Sequence, residues 1–95
     1  MDRDEFKSKA KKQIDELFDR IEKLEKKQKE VRHSAEEKYE EQLKKLREEK
    51  SKLKKRYEEL EDVAEERWDE ARDAFNKSAD SFQKGFNELA SIVRL

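Results

Sequence analysis

The sequence predicts an all-α fold, a long amphipathic helix that forms an elongated coiled coil interrupted by stutters. Three observations carry that expectation. Apolar side chains recur every three to four positions along almost all of the 95 residues, the spacing that puts one stripe on one helix face. Proline is absent, and glycine occurs once, at Gly85. Charged residues make up 54% of the chain and hydrophobic ones only 32%, short of the roughly 45–50% found in typical globular domains. A stripe with so little apolar surface to spare has to be covered, and the expectation is a second copy of the chain, as a homodimer or homotetramer, with an unidentified protein partner as the alternative. The interface residues expected from the stripe are Ile14, Leu17, Ile21, Leu24, Val31, Tyr39, Leu43, Leu46, Leu53, Tyr57, Leu60, Trp68, Phe75, Phe82, Phe86, Leu89 and Val93.

Along residues 10–31 the spacing is a strict heptad with Gln28 in one seam position, and it is heptad again over 43–64 with Lys50 in the seam. Between these stretches Ala35, Tyr39 and Leu43 follow in steps of four. The same extra step recurs at Leu60, Ala64 and Trp68, and between Phe82 and Phe86. Each is a stutter that unwinds a left-handed supercoil. The averaged period predicts one nearly straight helix of about 130 Å, at a rise of 1.5 Å per residue. The alternative is a helical hairpin turning near residue 49 and assembling into a four-helix bundle. Glycine, proline or asparagine usually marks such a turn, and none is available. The best internal start signal is Ser34-Ala35-Glu36-Glu37, which matches a capping box. Pairs such as Glu22 with Lys26 and Glu40 with Lys44, four residues apart in the favourable order, support the helix.

The charges are segregated. Residues 44–56 carry eight basic and two acidic side chains, and residues 58–73 carry nine acidic and two basic. A parallel partner in register would set acid beside acid, whereas an antiparallel one crossing near Tyr57 sets base against acid, so antiparallel pairing is expected. A hairpin would instead face the acidic block with residues 23–32, which are also net basic. The chain reads as one helical domain, 1–95. Its segment 67–95 exchanges the Glu/Lys face for Ser, Asn and Gln and thickens the apolar face with Trp68, Phe75, Phe82 and Phe86. That segment suits the core of a bundle with more than two helices. The alternative is a peripheral helix lying on a membrane or granule surface.

The residue inventory bounds the chemistry. One histidine, no cysteine and one glycine supply neither a Cys-His nucleophile pair nor a phosphate-cradling loop. Glu30 and His33 have the i, i+3 spacing of di-iron bundles, but such sites need two such motifs and two further glutamates. No catalytic residue, metal or cofactor is therefore expected. Residues 44–56 could touch phosphates, but the neighbouring acidic block repels them, so nucleic acid is not an expected partner. The chain has no apolar run of membrane-spanning length, and residues 1–12 lack the apolar centre of a signal peptide. A cytoplasmic location is expected.

Ile14-Asp15-Glu16-Leu17, Tyr39-Glu40-Glu41-Gln42-Leu43-Lys44-Lys45-Leu46-Arg47 and Glu65-Glu66-Arg67-Trp68, followed by Phe75 and Phe82, resemble small bacterial coiled-coil proteins. Some of these are grouped as stress-response proteins first noted in cyanobacteria. The resemblance implies a coiled-coil structural or interaction protein, stress-linked and without an active site. The chain departs from that pattern in the Phe and Ser content of its last third.

Overall fold

The computed structural model describes residues 2–94 and is all-α, as the sequence predicts, with the chain folded back on itself twice. Helix α1 spans Arg3–Glu25, α2 spans Glu36–Asp62 and α3 spans Trp68–Arg94. Asp2 starts α1, its side chain accepting the Glu5 N–H at 2.8 Å. Asp4 and Glu5 in the first turn complement the positive end of the helix. At the other end of α1 the Lys27 N–H donates to the Leu24 carbonyl at 3.0 Å, tightening the last turn into a 3-10 geometry that continues over Gln28–Glu30.

The two connections are built alike. Val31 and Arg32 are extended, at φ/ψ −74°/131° and −62°/143°. A 3-10 turn, His33–Ala35, follows and leads into α2. Val63 and Ala64 are extended in the same way, at −69°/139° and −67°/149°, and a 3-10 turn, Glu65–Arg67, leads into α3. Every φ among the described residues is negative, so neither turn needs glycine. No side chain caps the turn or the helix that follows the first connection. The expected capping box therefore marks the right place, but not the mechanism.

One unbroken helix is not what forms, and a turn near residue 49 is not what breaks it, because residue 49 lies inside α2. Of the two expected arrangements the hairpin lies nearer, with two turns at 26–35 and 63–67 in place of one. The principal extents are 50 × 18 × 16 Å, which suits 27-residue helices of about 40 Å each and not a 130 Å rod. The reason is that the stripe can cover itself. Two extended residues per connection reverse the chain, and the faces meet within one molecule without the translational and rotational cost of association.

Contacts at the two ends define an up-down-up bundle. At one end the Arg3 guanidinium donates to the Val63 carbonyl at 3.0 Å and lies 5.0 Å from the centre of the Trp68 ring. At the other end the Tyr39 hydroxyl donates to the Leu24 carbonyl at 3.4 Å, and α1 side chains line a groove with Phe86 and Val93. Helices α2 and α3 pack most closely. A Cβ on Gly85 would come 3.2 Å from Leu46 Cδ1, so the missing side chain admits Leu46. Ala71 and Ala79 are buried, as are Phe75, Phe82 and Leu89 at heptad spacing. Helix α1 is laid on this pair by aromatic rings. Phe6 meets Trp68 edge-on at 5.6 Å and Phe75 at 6.0 Å, and Phe18 meets Phe82 at 5.9 Å. Such pairs contribute about 0.5–1.5 kcal/mol each beyond area burial.

Two predictions follow from this packing. Phe82 is fully buried, so Phe82→Ala should destabilise the bundle by about 3–5 kcal/mol, read from urea unfolding by circular dichroism. Ala64 already has the φ of proline, follows an extended residue as proline requires, and its N–H makes no backbone bond. Ala64→Pro should therefore leave the fold intact and raise stability by about 0.4–1 kcal/mol in the same measurement.

Candidate interaction surface

The residues expected to form an oligomer interface are brought together inside one chain. Ile14, Leu17, Ile21, Leu24, Val31, Tyr39, Leu43, Leu46, Leu53, Leu60, Phe75, Phe82 and Leu89 are buried, and Tyr57, Trp68, Phe86 and Val93 are half-buried against them. Three seam positions behave differently. Gln28 sits exposed in the first connection. Ala64 sits exposed in the second connection, and Lys50 lays its ammonium 4.9 Å from the centre of the Phe18 ring. The stripe omits Phe6, which joins Trp68 and Phe75. Phe6 stands four residues before Ala10, so extending the stripe by one step would have found it. Arg3 and Lys7 carry no such signal. They serve the C-terminal end of α2, where Glu58, Glu59, Glu61 and Asp62 face a negative helix terminus. Arg3 binds the Val63 carbonyl there, and the Lys7 ammonium lies 3.5 Å from the Glu61 carbonyl.

Most ion pairs among the described residues lie within one helix, as in Lys11–Asp15, Arg56–Glu59 and Arg72–Asp69. Arg47 with Glu25, at 3.5 Å, joins two helices. All are exposed enough to contribute little to stability. His33 is exposed, in the 3-10 turn of the first connection, with its Nδ1 3.3 Å from a Glu36 carboxylate oxygen. Glu30 and His33 therefore do not present the α-helical spacing of a di-iron motif.

Two grooves stand out. The larger, 600 Å³, runs between α2 and α3 at the acidic end, along Ala71 and Ala74. Its basic rim charges are paired, Arg56 with Glu59 and Arg67 with Glu70, and Asp62 adds a further carboxylate. The smaller, 250 Å³, lies between α1 and α3 at the opposite end. Leu24, Phe86, Ala90 and Val93 form its floor, and Arg20 and Lys23 of α1, with Lys27 just beyond the helix end, form its lip. Arg20 and Lys23, three residues apart, share one face of α1, and Lys27 follows at the start of the first connection. No acidic side chain lines this groove, although the Lys23 ammonium is paired with Asp19 one turn earlier at 3.0 Å. It joins an apolar floor to a lip that carries charge of one sign.

The end that holds this groove is closed by Tyr39. Burial, reinforced by the Glu25 carboxylate and opposed by Arg47, raises its phenol above the ordinary value of 10.0. A raised acid pKa means that the folded state holds its proton longer than the unfolded chain does. The associated stability is whole below pH 10 and is lost as pH rises through the folded value. The urea midpoint of the native protein should therefore fall, as pH rises above 10.0, by more than that of Tyr39→Phe, with lysine titration common to both.

Set beside family models, curated proteins and solved structures, the chain matches none of them.

Proposed function

We propose that the protein is a non-enzymatic interaction module, and that the groove between α1 and α3 receives an acidic amphipathic helix of a partner protein. The apolar floor with a basic lip along α1 is the observation that carries this reading. Helices α1 and α3 run parallel on one side of the bundle, which leaves the position of a fourth, antiparallel helix beside them. A helix laying Leu-type side chains on Leu24, Phe86 and Val93 would bring its flanking carboxylates to Arg20, Lys23 and Lys27. Such a partner reads as apolar anchors at i, i+3, i+4 and i+7. The acidic block stands at the far end of the bundle, formed by the end of α2, the second connection and the start of α3. It does not compete for the lip, and it orients an incoming negative partner away from itself.

The burial of Phe75, Phe82 and Leu89 inside the bundle favours this reading over a membrane- or granule-surface helix, because the aromatic face of residues 67–95 is already spent. No helix among the described residues is long and apolar enough to cross a membrane.

A synthetic amphipathic peptide with leucine anchors and glutamate flanks tests the proposal by amide chemical-shift titration. Shifts should centre on Leu24, Phe86, Ala90 and Val93. Affinity should fall with added salt, and Ala90→Glu should abolish binding while leaving the unfolding midpoint nearly unchanged. Equal binding of a peptide with lysine flanks would overturn the acidic partner. Binding of anionic lipid vesicles without binding of the peptide would move the groove to lipid.

A further inference from the structure

The first connection joins two helices without any of the residues that stop a helix. Residues 26–35 read Lys-Lys-Gln-Lys-Glu-Val-Arg-His-Ser-Ala, mostly good helix formers, and no side chain caps the start of α2. The apolar phase also runs through it, with Leu24, Val31, Ala35 and Tyr39 all buried or half-buried. A break there leaves the last carbonyls of α1 and the first N–H groups of α2 without α-helical partners, and a continuous helix would pair them. We propose that the chain has a second assembly, a dimer in which α1, residues 26–35 and α2 form one helix and each copy lays its α1 on the α2–α3 pair of the other.

Such an exchange conserves the core. Across a two-fold axis through the connection, α1 of one copy runs antiparallel to α2 of the other, with the same neighbours as in the closed chain. Exchange at the connection is the low-cost route to a dimer because only the hinge changes. The charges select which hinge opens. An antiparallel crossing at His33 sets residues 23–32, with five basic and two acidic side chains, against residues 34–43, with four acidic and one basic. A crossing at the second connection would set the block 58–73, with nine acidic side chains and two basic, against itself, and like charges there repel. Arg3, bound to the Val63 carbonyl, further ties the second connection shut. The exchanged helix, residues 3–62, would be about 90 Å long, against a closed chain of 50 Å.

The test compares the native chain with Arg32→Pro and Ala64→Pro after refolding at millimolar concentration, by size-exclusion chromatography with light scattering and by small-angle X-ray scattering. Both prolines suit the closed turns. Arg32 has φ −62° and a preceding residue at ψ 131°, and its N–H makes no backbone bond. Only Arg32→Pro lies inside the exchanged helix. The native chain should yield a species of twice 11.6 kDa whose maximum dimension is nearly double that of the monomer. Ala64→Pro should retain that species. Arg32→Pro should lower its association constant about ten-thousand-fold, two interior prolines per dimer, with the monomer's circular dichroism unchanged. Absence of a dimer from the native chain, survival of the dimer in Arg32→Pro, or its equal loss in Ala64→Pro would overturn the proposal.

Discussion

The approach of α2 to α3 at Leu46 and Gly85 sets the geometry that the rest of the bundle inherits. Helix axes come close only where one of them carries small side chains. Helix α3 supplies Ala71, Ala74, Ser78 and Gly85 at steps of three, four and seven, and Leu46 fills the space at Gly85. With that seam closed, Phe75, Phe82 and Leu89, on the adjacent line of the same helix, point into the remaining volume and become the anvil for α1. Phe6, edge-on to Phe75, and Phe18, tilted against Phe82, then hold α1 against them. A side chain at position 85 would crowd Leu46 Cδ1, which a Cβ would meet at 3.2 Å, so the Leu46 side chain would have to shift to admit it.

Charge decides little of this arrangement, for all its abundance. The described ion pairs are exposed and mostly span three or four residues of one helix, so they would exist in a straight rod as well as in a bundle. The segregation of basic and acidic blocks matters at longer range. It leaves one end of the bundle strongly acidic, gives the groove at the other end a lip of one sign, and makes the two connections unequal, although their backbones are nearly superimposable in φ and ψ.

The groove and the exchangeable hinge share a cause. Helix α1 is bound to the α2–α3 pair by its buried stripe, Ala10, Ile14, Leu17, Ile21 and Leu24, by the rings of Phe6 and Phe18 and by two terminal cations. Beyond the rings, towards Leu24, α1 and α3 leave an apolar slot between them. The same modest attachment makes α1 the element most easily lent to another copy. Local stability of this kind, unequal within one core, is where binding surfaces and conformational exchange are usually found.

By itself the sequence determined that the chain is helical, which side chains are apolar on one face, and that the segment from about residue 67 differs in character. The 3.6-residue period and the absence of proline enforce these locally, and Trp68 does begin the last helix. The position of the breaks and the identity of the partner face were decided by tertiary structure. Extended Val31, Arg32, Val63 and Ala64 carry no turn signature, since ordinary residues adopt these angles, and the helices they separate start without side-chain caps where the caps are described. An amphipathic stripe, moreover, has the same pattern whether it is buried against another molecule or against its own chain. The tethered face lies at high effective concentration, and that physical advantage, invisible in the spacing of Leu and Phe, turned an expected interface into a core.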